Sequence, residues 1–264
     1  MQINDTPDII SIYDNFIKER NAVNSENRYK GNEHWYHASS AGMCRRKIYY
    51  ASVEQAEQTN PPEPKAYRLM RLGTIVHNDI QKGLKEFAKE KESSKEKEIL
   101  YNSISSTINS TISNIYIEEE VRIEEFNVRG FFDVVVVMTD SRVFLMDIKT
   151  IGSYPYKLKF GRKAKENKAS IHQELQLATY GLAIKRQMGR LDGMFLVYYN
   201  KDNSQTRVSE VSLSYVESAK SFWETTHNNL KGKTEPPFIE SGISPVMDWE
   251  CRYCAWKNKC ELDG

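Results

Sequence analysis

The chain has 264 residues, 39% of them apolar and 28% charged, with 37 Lys and Arg against 36 Asp and Glu. That balance excludes an intrinsically disordered chain. It also excludes a global basic field as the means of attracting nucleic acid, so such attraction must come from local patches or a bound cation.

The first residues, MQINDTPDIISIYDNFIKER, carry charges throughout and lack the apolar stretch of a signal peptide. Nowhere does the sequence offer the roughly twenty apolar residues of a membrane span. The expectation is a cytoplasmic protein with no membrane partner, in a compartment where structural disulfides are rare.

Thr6 and Pro7 read as the N-cap and first-turn proline of a helix striped by Ile9, Ile10, Tyr13, Phe16 and Ile17. A second helix is predicted from Ser39 or Ser40 through AGMCRRKIYYAS, with Cys44 in its first turns. Pro61, Pro62 and Pro64 mark a loop. The long helix YRLMRLGTIVHNDIQKGLKEFAKE follows, with Leu69, Leu72, Val76, Ile80, Leu84 and Phe87 on its apolar face. KESSKEKE interrupts it with charge, and NSISSTINSTISN has no clear period.

From there the period becomes two. YIEEEVRIEE, NVRGFFDVVVVMT and RVFLMDIKT read as successive strands, the last two joined by a hairpin at MTDSR. KLKFGRKAKENK predicts a basic loop, SIHQELQLATYGLAIKRQMG a helix, and GMFLVYYNK and TRVSEVSLS two further strands. SYVESAKSFWETTHNNLKG is another helix, before a tail ending in CRYCAWKNKC. Helices and strands in this order predict one α/β domain around one sheet, with its core over residues 65–232.

The chemistry concentrates in FLMDIKT. Alternation along a strand puts Asp147 and Lys149 on one face beside the core, where desolvating both is costly. Asp133, at the end of GFFD, arrives on the neighbouring strand through the hairpin. Two carboxylates converging from adjacent strands form an oxygen-rich site suited to Mg²⁺ or Mn²⁺, and the amine beside them can orient or deprotonate an attacking water. By itself D-x-K reads as a buried ion pair. His77 in GTIVH sits at the rim of the long helix's apolar face, and Gln176 and Tyr180 in QLATY lie one helical turn apart.

Cys251, Cys254 and Cys260 form C-x2-C-x5-C, and Cys44 is remote from them. Four thiols match the ligand count of a tetrahedral zinc or of a cubane iron–sulfur cluster, and the spacing leaves both open.

Taken together, GTIVH, GFFD, DIK and QLATY, in that order, resemble the PD-(D/E)XK nuclease superfamily, specifically its RecB-like exonuclease branch. The proline usual before the first acid is absent, with Phe132 in its place. The resemblance implies a restriction-endonuclease-like core, a central mixed sheet flanked by helices. It implies that His77, Asp133, Asp147 and the Ile148 carbonyl hold the divalent metal, that Lys149 is the catalytic lysine, and that Gln176 and Tyr180 support substrate or metal.

CRISPR-associated and AddB-type members of that branch carry one cysteine before the core and three after it, holding a 4Fe-4S cluster. The resemblance places Cys44, Cys251, Cys254 and Cys260 there. The implied subdomain comprises residues 35–55 and 235–264, a staple joining both ends of the chain. The implied activity is metal-dependent exonucleolytic cleavage of DNA, single-stranded or at ends, in repair, recombination, CRISPR adaptation or phage DNA processing. Self-association or a partner in a nuclease complex is compatible with it.

Two patches could hold that substrate. Arg45, Arg46, Tyr253 and Trp256 flank the cysteines, and Lys159, Arg162 and Lys163 lie in the predicted basic loop; basic groups meet phosphates and rings stack unpaired bases.

Overall fold

The computed structural model describes residues 8–29, 35–93, 112–162, 170–234 and 249–263. Six strands form one mixed sheet: β1 (Tyr36–His37), β2 (Ile112–Ile123), β3 (Val128–Met138), β4 (Val143–Ile151), β5 (Gly193–Asn200) and β6 (Thr206–Val211), in the order β1-β3-β4-β5-β6 with β2 also on β3. The hairpins β2–β3, β3–β4 and β5–β6 are antiparallel, as expected of strands joined by short turns, while β4 and β5 run parallel. A parallel pair needs a crossover, and two helices provide it: α4 (Ser153–Phe160) and α5 (Ile171–Met188).

Strand alternation sorts the side chains of β4 onto two layers. Val143, Leu145 and Ile151 join the main core with Leu177, Ile184 and Trp223 of α5 and α6 (Tyr215–Leu230). On the other side Met146 and Ile148 join Val134 and Val136 beneath Ile80 and Leu84 of α3 (Pro64–Ser93). The chain is thus an α/β fold with helices on both sides of a mixed sheet.

Asp147 and Lys149 carry the odd numbers of Val143 and Leu145 and so face α5. Gly189 closes α5 in the left-handed region at φ 70°, a C-terminal position that favours glycine.

Several local expectations are corrected. α1 (Ile9–Tyr29) forms, but its stripe is not a core face: Ile17 is buried, whereas Ile9, Ile10, Tyr13 and Phe16 stay exposed. Leu69 and Leu72 at the start of α3 are likewise open. Pro64 is the first residue of α3, where its missing N–H costs nothing, rather than part of the loop. Ala38–Ser40 form a short 3-10 turn, and Cys44 is the N-cap residue of α2 (Arg45–Ile48) instead of lying within a helix; a π-turn over Tyr49–Val53 follows. KLKF belongs to α4, not to a loop. Thr6, Pro7 and most of KESSKEKE and NSISSTINSTISN lie outside the described residues.

The segment around Cys44 and the C-terminal tail meet. The Cys44 amide donates to Glu250 Oε1 at 2.9 Å, Tyr50 OH donates to Asp263 at 2.7 Å, and the Trp256 indole N–H donates to the Ala56 carbonyl at 2.9 Å. Lys259 adds an ion pair with Glu54 at 2.7 Å, just before α7 (Lys257–Leu262) ends. No helix among the described residues is long and apolar enough to cross a membrane.

Candidate active site and four-cysteine centre

The β3–β4 ladder runs from Val137↔Val143 to Val134↔Met146. Beyond it the Ile148 amide donates to Asp133 Oδ2 at 2.6 Å, so a side chain continues what the backbone ladder stops doing. The same oxygen lies 2.9 Å from His77 Nε2 of α3. That hydrogen bond raises the imidazole's pKa, because a carboxylate partner favours the charged ring.

Asp147 is 1% exposed. Burial raises its carboxyl to about 6, although the neighbouring Lys149 ammonium acts the other way. Lys149 Nζ forms a buried ion pair with Asp147 Oδ2 at 2.7 Å. The amine also donates to Gln176 Oε1 at 2.8 Å, and Gln176 Nε2 is 3.4 Å from Tyr180 OH. Tyr180 packs directly on Gly130: a Cβ there would lie 2.8 Å from its ring. His77, Asp133, Asp147, Lys149, Gln176 and Tyr180 therefore form one connected array.

Glu118 was not legible as a site residue. It sits inside the run Glu118, Glu119, Glu120 on β2, where nothing in the spelling separates one glutamate from another. In the fold it takes a left-handed backbone at φ 57°, accepts from Gln81 Nε2 at 2.5 Å, and brings its carboxylate to within 4.8 Å of the His77 and Asp133 ligand atoms. A non-glycine residue in that region is strained. The positive φ is the backbone feature that distinguishes this glutamate from its two neighbours. Asp147 lies outside that group of three and faces Lys149. One nitrogen and the carboxylates offer a hard, mostly oxygen donor set, so the residues fit a divalent metal.

His172, in the first turn of α5, adds to the surroundings of Lys149. Burial and the nearby Lys149, Lys159 and Lys47 charges hold its imidazole at about 4, hence neutral.

The four cysteines line one cavity of about 190 Å³, with Arg46, Lys47, Tyr50 and Glu250 also in its wall. None of the four is joined in a disulfide among the described residues. Burial, aided by the neighbouring thiols, raises Cys251, Cys254 and Cys260.

The expected substrate patches are altered. Trp256 is buried and its indole N–H is engaged, so its ring cannot stack a base; Arg46 is also buried, against the cysteine cavity. Tyr253 is exposed, and Arg45 is partly so. Lys159 turns inward, donating to Ser170 Oγ at 3.2 Å and lying over the Tyr198 ring. Arg162 is exposed, and Lys163 lies outside the described residues.

The chain belongs to the PD-(D/E)XK nuclease superfamily, whose profile matches residues 92–261. No curated protein matches it. Among solved structures it is similar to SSO0001, at 16% identity over 88% of each chain and a TM-score of 0.46. It is also similar to a Eubacterium rectale protein named an exonuclease, at 12% identity over 78% of this chain and 85% of that one, TM-score 0.46. A third is the alkaline exonuclease LHK-Exo of Laribacter hongkongensis, at 14% identity over 78% and 92%, TM-score 0.42.

Proposed function

We propose that the protein is a divalent-metal-dependent DNA exonuclease of the RecB-like branch, acting on single strands or ends. The observation that carries this reading is the Lys149 amine, held between Asp147 at 2.7 Å and Gln176 at 2.8 Å, beside the Asp133–His77–Glu118 cluster.

His77, Asp133, Asp147 and the Ile148 carbonyl hold Mg²⁺ or Mn²⁺, with Glu118 as an added ligand. When bound, the ion polarises a phosphoryl oxygen and lowers the pKa of water toward neutrality. Lys149 directs the attacking water and offsets charge developing on the phosphorus-bound oxygens. Gln176 keeps the amine aimed, and Tyr180, seated on Gly130, keeps Gln176 in place. Loss of Lys149 should lower the cleavage rate about a thousandfold or more, the scale of a lost electrostatic stabiliser. The test is Mn²⁺-dependent digestion of end-labelled DNA by wild type, Lys149→Ala and Asp147→Ala; full activity in either variant ends the assignment.

The cysteine centre in this reading holds a 4Fe-4S cluster that staples residues 35–55 to the tail that carries Cys251, Cys254 and Cys260; residues 235–248 of the expected subdomain lie outside the described residues. The four thiols, brought to one cavity from both sides of the sequence, support a shared centre, and metal analysis separates zinc from the cluster. Cluster bonds closing so long a loop stabilise the fold. Iron and acid-labile sulfide analysis of aerobically and anaerobically purified protein decides it; stoichiometric zinc without iron rejects the cluster.

A further inference from the structure

β3 holds a single exposed residue, Phe131, two positions from Asp133. It is 42% exposed and lies between buried Gly130 and Phe132. One exposed ring is ordinary on any protein surface. This one is not isolated. The Arg129 guanidinium lies 5.9 Å from its centroid, and Arg129 stands in register opposite Arg122 of β2. Arg122 in turn lies 5.3 Å from the Trp35 ring, immediately before β1.

Two ring–guanidinium pairs thus sit side by side across β1, β3 and β2, one and two rows upstream of the acids. At the rise of a strand, Phe131 is about 7 Å from Asp133 and the arginine row about 14 Å. Glu120 is shared by both arginines, at 3.2 Å from Arg122 and 3.5 Å from Arg129, so one carboxylate faces two cations.

We infer that Trp35 and Phe131, backed by Arg122 and by the buried Arg129 respectively, form a stacking track that seats the bases of an unpaired nucleic-acid strand as it enters the site. The inference rests on the nuclease reading, which makes the acids the destination. Rings backed by guanidinium groups offer flat faces to every base and are indifferent to sequence. Glu120 offsets part of the charge of the two arginines, so the track binds through faces more than through phosphates. It therefore discriminates unpaired strands, whose bases are free, from duplex.

The experiment is fluorescence anisotropy with a labelled oligothymidylate and a blunt duplex, without added metal, on wild type, Phe131→Ala, Phe131→Tyr, Phe131→Leu and Trp35→Ala. Losing a stacked ring should weaken single-strand binding about 5- to 150-fold. Tyrosine should preserve it and leucine should not, while the slope against salt and the duplex affinity stay unchanged.

Single-strand affinity within twofold of wild type in both Phe131→Ala and Trp35→Ala overturns the track, as does equal loss on duplex. Mn²⁺-dependent hydrolysis of the small diester bis(p-nitrophenyl) phosphate separates the two readings. It should survive Phe131→Ala and vanish in Lys149→Ala. No hydrolysis of DNA or diester by wild type overturns the nuclease reading, whereas the oligothymidylate titration still decides the track.

Discussion

Lys149→Ala tests the buried pair through stability as well as activity. Asp147 is 1% exposed, and its carboxyl stands at about 6 against an ordinary 3.8 despite the nearby ammonium. That gap corresponds to roughly 3 kcal/mol against the charged form at neutral pH, at about 1.4 kcal/mol per tenfold change in acidity. The folded carboxyl holds its proton more tightly than the unfolded one, so the native state binds more protons between the two values. Stability therefore falls as pH rises through that window.

Without the ammonium 2.7 Å away, the folded value climbs further and the window widens upward. Metal-free Lys149→Ala should lose about 3–5 kcal/mol at pH 8, the cost of stranding a buried charge. Near pH 4.5, where Asp147 is neutral in both proteins, the loss should shrink to about 1 kcal/mol, the ordinary scale of a substitution. Adding Asp147→Asn should restore most of the stability at pH 8. The assay is urea unfolding in chelator at both pH values, with unchanged m. Equal destabilisation at the two pH values would refute the argument that the amine serves a buried carboxylate.

Three other outcomes follow from the same geometry. Gln176→Leu leaves Lys149 without its 2.8 Å acceptor, and steady-state kinetics should show kcat reduced about 10- to 100-fold with KM little changed. Glu118→Gln should weaken Mn²⁺ binding about 10- to 100-fold by calorimetry, the scale seen when a group that tunes a metal site is altered, with the fold intact because the residue is exposed. If the proposed cluster is held, Cys254→Ser should abolish its visible absorbance and lower Tm, while Cys44→Ser should do the same from the far end of the sequence; unaltered spectra in both refute a shared centre.

How much of this was legible follows from where each signal lives. Period-two alternation put Asp147 and Lys149 on one face, and one helical turn put Gln176 beneath Tyr180; both are local relations, and both appear in the structure. The hairpin at MTDSR likewise carries its own turn chemistry, down to the positive φ at Ser141. Glu118 depends on a backbone departure within β2, which no neighbouring residue announces. Trp256 had the composition of a stacking residue, but its burial against Ala56 is a contact across two hundred positions. The stripe of α1 shows the reverse limit: a helical period reveals a face, and only tertiary packing decides whether anything covers it.

The hydrogen bond from the Ile148 amide to Asp133 makes that carboxylate a rung between two diverging strands. Asp133 therefore has an architectural duty beside the chemical one proposed for it, and its alanine variant would confound a splayed fork with a missing ligand. Asparagine at that position can still span the fork while carrying no charge, which makes it the cleaner probe of the chemical duty.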